Sequence, residues 1–230
     1  MILGGIQKNS LIDFPSKISC VIFTAGCNFD CPYCHNPDLV NPPFTTIHPE
    51  EIFTFLNKRK SLLDGVVITG GEPTLQKDLL AFCDQIKALG YPIKMDTNGS
   101  RPEVIQALIK SQLVDYIAMD VKTLPENYSP HITKKIGPGA ILESINLIKN
   151  SKIPHEFRTT CLKPFVDAKI IAAISEIIDE ADLFVLQNAN ISDSVLQPDF
   201  FRNISWKFEK EEITSFQKIA LPFVKKTMIR

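Results

Sequence analysis

Apolar positions along the chain follow two rhythms. Short, nearly continuous apolar runs rich in β-branched residues occur at 19–25, 65–70, 92–97, 116–121, 155–160 and 183–188, each bounded by turn-forming residues. Runs of that length and composition read as strands, and their lack of polar alternation predicts burial on both faces, as in a parallel sheet. Between them, apolar residues return every three or four positions at 48–63, 75–90, 101–111, 139–150 and 167–181. That is the period of amphipathic helices. Pro49 followed by Glu50 and Glu51 marks a helix start, Asp167 is placed as an N-cap, and Gly90 as a C-cap.

Strand–helix alternation of this kind predicts an α/β fold with parallel strands and right-handed crossovers. It fits either an open doubly wound sheet or an incomplete (β/α) barrel. Residues 1–18 lie outside the alternation and read as a short N-terminal hairpin or arm. Residues 191–230 begin irregularly, then read as one more helix (209–220) and a final strand (222–230). They are expected to extend a single domain, with its core at about 17–190, rather than to form a second one.

Bulk properties narrow the function classes. A chain of 230 residues suits one domain with a sizeable core. The formal net charge of −1 carries none of the basic bias that nucleic acid or an anionic membrane would favour, so neither is expected as a partner. The N-terminus has no secretory pattern, and no apolar run approaches the roughly 20 residues that span a bilayer. A cytoplasmic location is therefore expected.

The cysteines change the picture. Three of six crowd into Cys27-Asn-Phe-Asp-Cys31-Pro-Tyr-Cys34, while Cys20, Cys83 and Cys161 are scattered. In a cytosolic chain such crowding points to metal or catalysis rather than a disulfide frame. The C-x3-C-x2-C triplet directly follows the first parallel strand, at the carboxyl end where α/β active sites gather. Three thiolates on one loop can hold three irons of a cubane cluster and leave the fourth iron open to a ligand. The alternative is structural zinc with His35 as fourth ligand. Adjacent Cys34 and His35 strain tetrahedral ligation, which favours iron–sulfur.

The triplet, with Tyr33 at its aromatic position, resembles the radical S-adenosylmethionine enzymes, whose hallmark is C-x3-C-x-aromatic-C after the first strand of a partial (β/α)6 TIM-like barrel. Further motifs match at successive strand ends, over roughly residues 17–190. Gly70-Gly71-Glu72-Pro73 resembles the family's GGEP motif, which binds the methionyl amino group; glycines there let the backbone approach a ligand closely. Asp96-Thr97-Asn98-Gly99 and Asp120-Val121-Lys122 resemble the glycyl-radical-enzyme activating enzymes. By that resemblance Asp96, Thr97 and Asn98 lie near S-adenosylmethionine, Asp96, Thr97 and Asp120 help form a monovalent-cation site, and Lys122 reaches the cofactor's ribose or carboxylate. Arg158 matches an arginine that pairs with the cofactor's carboxylate; read on its own it is equally a salt-bridged barrel residue. Gln187 ends the sixth strand in an LQ-type motif. His35 and Asn36 match the activases' CxxCHNP pattern. Asp13 matches an aspartate that touches the substrate's glycine loop, although a simple turn role suits it equally.

The branch resembled most closely is the group that activates anaerobic ribonucleoside-triphosphate reductase. The resemblance implies a [4Fe-4S] cluster on Cys27, Cys31 and Cys34 that reductively cleaves S-adenosylmethionine to methionine and a 5′-deoxyadenosyl radical, which abstracts hydrogen from a glycine Cα. It also implies a glycyl radical enzyme as partner, specifically anaerobic ribonucleotide reductase, and an electron donor such as flavodoxin or ferredoxin. No cysteines lie between Cys34 and Gly70, so a single cluster is expected. A radical enzyme acting on another glycyl radical enzyme or a small molecule is the alternative, and a zinc-stabilised binding module the more distant one. Residues 189–206 depart from the family pattern.

Overall fold

The computed structural model describes residues 1–230. Eight strands form one sheet in strict chain order: β1 (Leu3–Ser10), β2 (Ser19–Thr24), β3 (Gly65–Gly70), β4 (Ile93–Thr97), β5 (Tyr116–Asp120), β6 (His155–Cys161), β7 (Phe184–Asn188) and β8 (Thr227–Ile229). β1 runs antiparallel to β2, and every later pairing is parallel. The crossovers carry helices α1 (Pro49–Lys58), α2 (Leu79–Ala88), α3 (Pro102–Lys110), α4 (Pro138–Lys149), α5 (Ala168–Ile177) and α6 (Lys210–Ala220). β1 and β8 do not pair with each other, so the sheet is an incomplete barrel with a lateral opening. Of the two architectures that the alternation allows, this is the partial barrel.

The N-terminal arm is a full strand, and residues 191–230 extend the sheet rather than merely trailing from it. α6 leads into β8, which pairs in parallel with β7 at Phe184 and Thr227, Val185 and Met228, and Leu186 and Ile229. Helix ends follow local chemistry. The Asp167 carboxylate accepts from the Ile170 N–H at 2.8 Å, capping α5, and Gly90 closes α2 at φ +90°. α2 begins at Leu79, later than the apolar period suggests, because Gln76 serves elsewhere. Its side chain donates to the Ala25 carbonyl and accepts from the Ile2 N–H, both at 2.8 Å, tying β1 to the end of β2.

Alternation along the strands sorts the core into two parts. One face of the sheet, with Ile22, Ile68, Met95, Ile117, Met119 and Phe157, packs against the helices in a cluster of 48 buried residues. The other face looks into the barrel. At its amino end Phe14, Val21 and Val67 form a separate apolar floor, against which Tyr116 packs. Beside and above the floor the lumen carries charge. Lys94 stands between Val67 and Tyr116 in register, and Asp120 stands beside Arg158. No helix is long and apolar enough to cross a membrane.

Candidate active site

The parallel register brings the carboxyl ends of β2 to β7 to one rim. Thr24 pairs with Gly70, Thr97 with Met119, Asp120 with Arg158, and Thr160 with Gln187. Within this rim lies a cavity of about 300 Å³. All the residues that the sequence singles out for cluster or cofactor line it: Cys27, Cys31, Tyr33, Cys34, Gly70, Gly71, Glu72, Asp96, Thr97, Asn98, Asp120, Lys122, Arg158 and Gln187. His35 and Asn36 join them, and so do Phe29, Val40, Thr69 and Thr160, which the sequence does not single out as site residues. Thr69 and Thr160 could have been found by counting the strand period back from Gly71 and forward from Arg158.

The cysteine loop is strapped from several sides. The Asp30 N–H donates to the Ile132 carbonyl at 2.8 Å, the Leu196 N–H to the Cys34 carbonyl at 3.0 Å, and the Gln197 N–H to the Pro32 carbonyl at 3.0 Å. Residues 195–197, within the stretch that departs from the family pattern, thus hold the loop in place. Cys27 Sγ accepts from the Phe29 N–H at 3.4 Å and from Asn98 Nδ2 at 3.9 Å. Burial pushes the Cys27 and Cys31 thiols up to about 12, so both are neutral until a metal replaces their protons. No three Cys, His, Asp or Glu side chains converge closely enough to hold one metal ion. Tetrahedral zinc on thiolates at about 2.3 Å would need its sulfurs roughly 3.8 Å apart. Three thiols lining one cavity could each bind its own iron of a cluster.

The Gly70-Gly71 pair explains itself on packing. A Cβ on Gly70, at φ +117°, would lie 2.3 Å from the Thr24 carbonyl oxygen, and one on Gly71 would lie 2.2 Å from that of Gly26. Within the protein, then, both glycines lie against the backbone entering the cysteine loop, and both also border the cavity. The Gly71 and Glu72 N–H groups donate to the Thr24 and Gly26 carbonyls at 2.8 Å. Glu72 itself is 1% exposed. Its carboxylate accepts from Thr74 N–H and Oγ1, from Thr97 Oγ1 at 2.7 Å and from the Asn98 N–H at 2.7 Å. It staples the β3 loop to the β4 loop, and desolvation raises its pKa despite these donors.

On the opposite wall stands an ion network. Arg158 Nε donates to Asp120 Oδ1 at 2.7 Å and Nη1 to Asp96 Oδ2 at 3.0 Å. Lys122 Nζ donates to Asp120 Oδ2 at 2.8 Å, and Lys94 Nζ to Asp96 Oδ1. Against the desolvation that opposes it, the Arg158 guanidinium together with the neighbouring ammonium holds each aspartate below the usual carboxylate range. Asp120 in turn raises Lys122 and Arg158. One rung lower, Glu156 is 0% exposed and takes both Nη groups of Arg230 at 3.1 Å. Asp13, by contrast, lies in the β1–β2 turn, where it accepts from Ser10 Oγ at 2.5 Å. That turn feeds the amino end of β2, at the other end of the strand from the rim.

Comparison with known proteins fits this geometry. The Radical SAM superfamily profile matches residues 21–177. The chain is 36% identical, over all of its length and 95% of the relative's, to a Methanocaldococcus jannaschii protein provisionally named a glycyl-radical enzyme activating enzyme. It is 30% identical to the pyruvate formate-lyase-activating enzyme of Listeria monocytogenes, over 65% of this chain and 64% of that one. Streptococcus suis SuiB bound to S-adenosylmethionine superposes with a TM-score of 0.71 at 15% identity, over 90% of this chain and 49% of SuiB, so the chain spans about half of that protein. Escherichia coli QueE superposes with a TM-score of 0.53 at 15% identity, over 84% of each chain. The chain therefore belongs to the radical SAM superfamily and is an enzyme of that superfamily.

Proposed function

We propose that the chain is the activating enzyme of a glycyl radical enzyme, specifically of anaerobic ribonucleotide reductase. The observation that carries the reading is the single cavity shared by the Cys27, Cys31 and Cys34 thiols and the Asp96–Arg158–Asp120–Lys122 network. The full-length relative and the pyruvate formate-lyase-activating enzyme support a protein substrate, because their names say that they activate one. The motifs from Leu3 to Pro15 and from Cys31 to Val40 support the reductase branch.

The residues fit the two groups this function requires. The three thiols would ligate three irons of a [4Fe-4S] cluster, leaving the fourth for the amino and carboxylate groups of S-adenosylmethionine. When bound, these two groups together supply the means of removing one hydrogen atom from a glycine Cα of the partner. The protein's part is to bind, orient and exclude water. Tyr33, whose buried hydroxyl has no partner in the protein, and Phe29 wall the cavity beside the thiols. Lys122 Nζ lies over the Tyr33 ring, 6.0 Å from its centroid, which places a cation between the cysteine loop and the strand rim. Lys122 and Arg158 would receive the carboxylate of S-adenosylmethionine, and the rim at Gly70, Thr97 and Gln187 would border the rest. The lateral opening between β1 and β8 would admit a substrate loop from the side.

The test is electron paramagnetic resonance of anaerobic ribonucleotide reductase mixed with this protein, S-adenosylmethionine and a reduced flavodoxin. A glycyl-radical signal on the reductase is expected. A signal only with a different glycyl radical enzyme would reassign the partner. Consumption of S-adenosylmethionine with no protein radical would point to a small-molecule substrate.

A further inference from the structure

The resemblance implies a monovalent cation held by Asp96, Thr97 and Asp120. The residues present do not fit one. All four carboxylate oxygens are already met by charged donors: Asp96 Oδ1 by Lys94, Asp96 Oδ2 and Asp120 Oδ1 by Arg158, and Asp120 Oδ2 by Lys122. Thr97 Oγ1 is turned away, donating to Glu72 at 2.7 Å and accepting from the Gly99 N–H at 3.1 Å. A further ion would sit among two ammonium groups and a guanidinium, and every carboxylate oxygen it could use is already bonded to a charged donor; like charges crowded in a weakly screened interior repel strongly.

We infer that the Lys94 ammonium is the resident cation of this site, and that no external monovalent cation binds between Asp96, Thr97 and Asp120. Lys94 is built for the part. It is 2% exposed, although lysine is rarely buried without a partner. Its strand position points it into the lumen level with the floor, in register between Val67 and Tyr116, so its stem lies beside apolar groups. The ring of Tyr116, its partner in register, lies 6.0 Å from Nζ on one side, and Asp96 meets it on the other. An ammonium desolvated between a ring and a carboxylate is tethered at a fixed place, unlike an ion drawn from solution. Lys94 is thus a positioning residue. It holds Asp96, and through Asp96 the Arg158 guanidinium, without touching a ligand itself.

The experiment uses anaerobically purified protein with its cluster in place, and it reads the thermal midpoint in potassium, sodium and tetramethylammonium chloride at matched ionic strength. The wild type is expected to be indifferent to the cation. Lys94→Met keeps the stem and frees Asp96 Oδ1; it is expected to gain about 2–4 °C in potassium over tetramethylammonium. The binding of S-adenosylmethionine, followed in parallel, should become potassium-dependent only in the variant. A wild type stabilised by potassium would overturn the inference, as would a folded Lys94→Met that ignores it. Should Lys94→Met fold only in potassium, the inference holds in its strongest form. Should it fold in no salt, the wild-type titration decides. Because the midpoint requires no turnover, this outcome is independent of whether the protein activates a glycyl radical enzyme.

Discussion

At the scale of residues, the site is governed by charge placed where water is scarce. Arg158 joins Asp96 and Asp120 with separate nitrogens and comes within 3.9 Å of Glu156. Removing it leaves one oxygen of each buried aspartate without its donor, with only Lys94 and Lys122 still in place. Arg158→Met is expected to destabilise the protein by about 3–5 kcal/mol in urea denaturation, whereas Arg158→Lys, which cannot bridge two aspartates at once, should retain only part of that stability. Asp120 makes a second prediction through pH. Its folded pKa lies below the unfolded value of about 3.9, so the stability it contributes is present above that value and is lost as pH falls toward the folded one. In Asp120→Asn the slope of stability against pH below about 4 should be shallower by up to about 1.4 kcal/mol per pH unit. An unchanged slope would show that Asp120 is not held ionised by Arg158 and Lys122.

At the scale of elements, what matters is how loops lock onto one another at the strand rim. Gly71 lies against the backbone of Gly26, so Gly71→Ala should shift the cysteine loop and destabilise the fold by about 1–3 kcal/mol. The strap at 195–197 offers a cleaner separation of loop from fold. Leu196→Pro removes the N–H that reaches the Cys34 carbonyl. It should leave the thermal midpoint nearly unchanged while speeding the loss of iron to a chelator. Equal iron retention in the variant and the wild type would show that the strap does not steady the loop. The cysteine triplet and the strand-end motifs are legible in the sequence because each is a local string at the end of an apolar run. The strap is not, since residues 195–197 meet residues 32–34 only through tertiary folding and through backbone groups that every sequence carries. Lys94 and Glu156 are hidden for a different reason. They sit mid-strand in short apolar runs, where the sequence alone does not say which face closes into a lumen.

At the scale of the whole molecule, the protein inverts the usual filling of a barrel. The large apolar core lies outside the sheet, under the helices, while the lumen face mixes a small apolar floor at Phe14, Val21 and Val67 with buried charge. The strand order and parallel direction follow from the alternation of runs and helices, and a final strand is legible within 222–230, but its place beside β7 is not, because it lies outside the alternation. Through β8, Arg230 reaches Glu156 in the lumen. Arg230→Met should cost about 3 kcal/mol, since it leaves a carboxylate with no solvent access only the Tyr116 hydroxyl at 3.2 Å and Arg158 at 3.9 Å. The iron content of the folded fraction should not change, because Glu156 lies a rung below the rim. All these scales converge on one claim, that the rim cavity holds a redox cluster and its S-adenosylmethionine. The most direct measurement is the yield of 5′-deoxyadenosine from S-adenosylmethionine under anaerobic reduction, with about four irons bound per chain. The wild type should produce it and Cys31→Ala should not; a wild type carrying its four irons yet leaving S-adenosylmethionine intact, or a Cys31→Ala variant cleaving it equally well, would contradict the account.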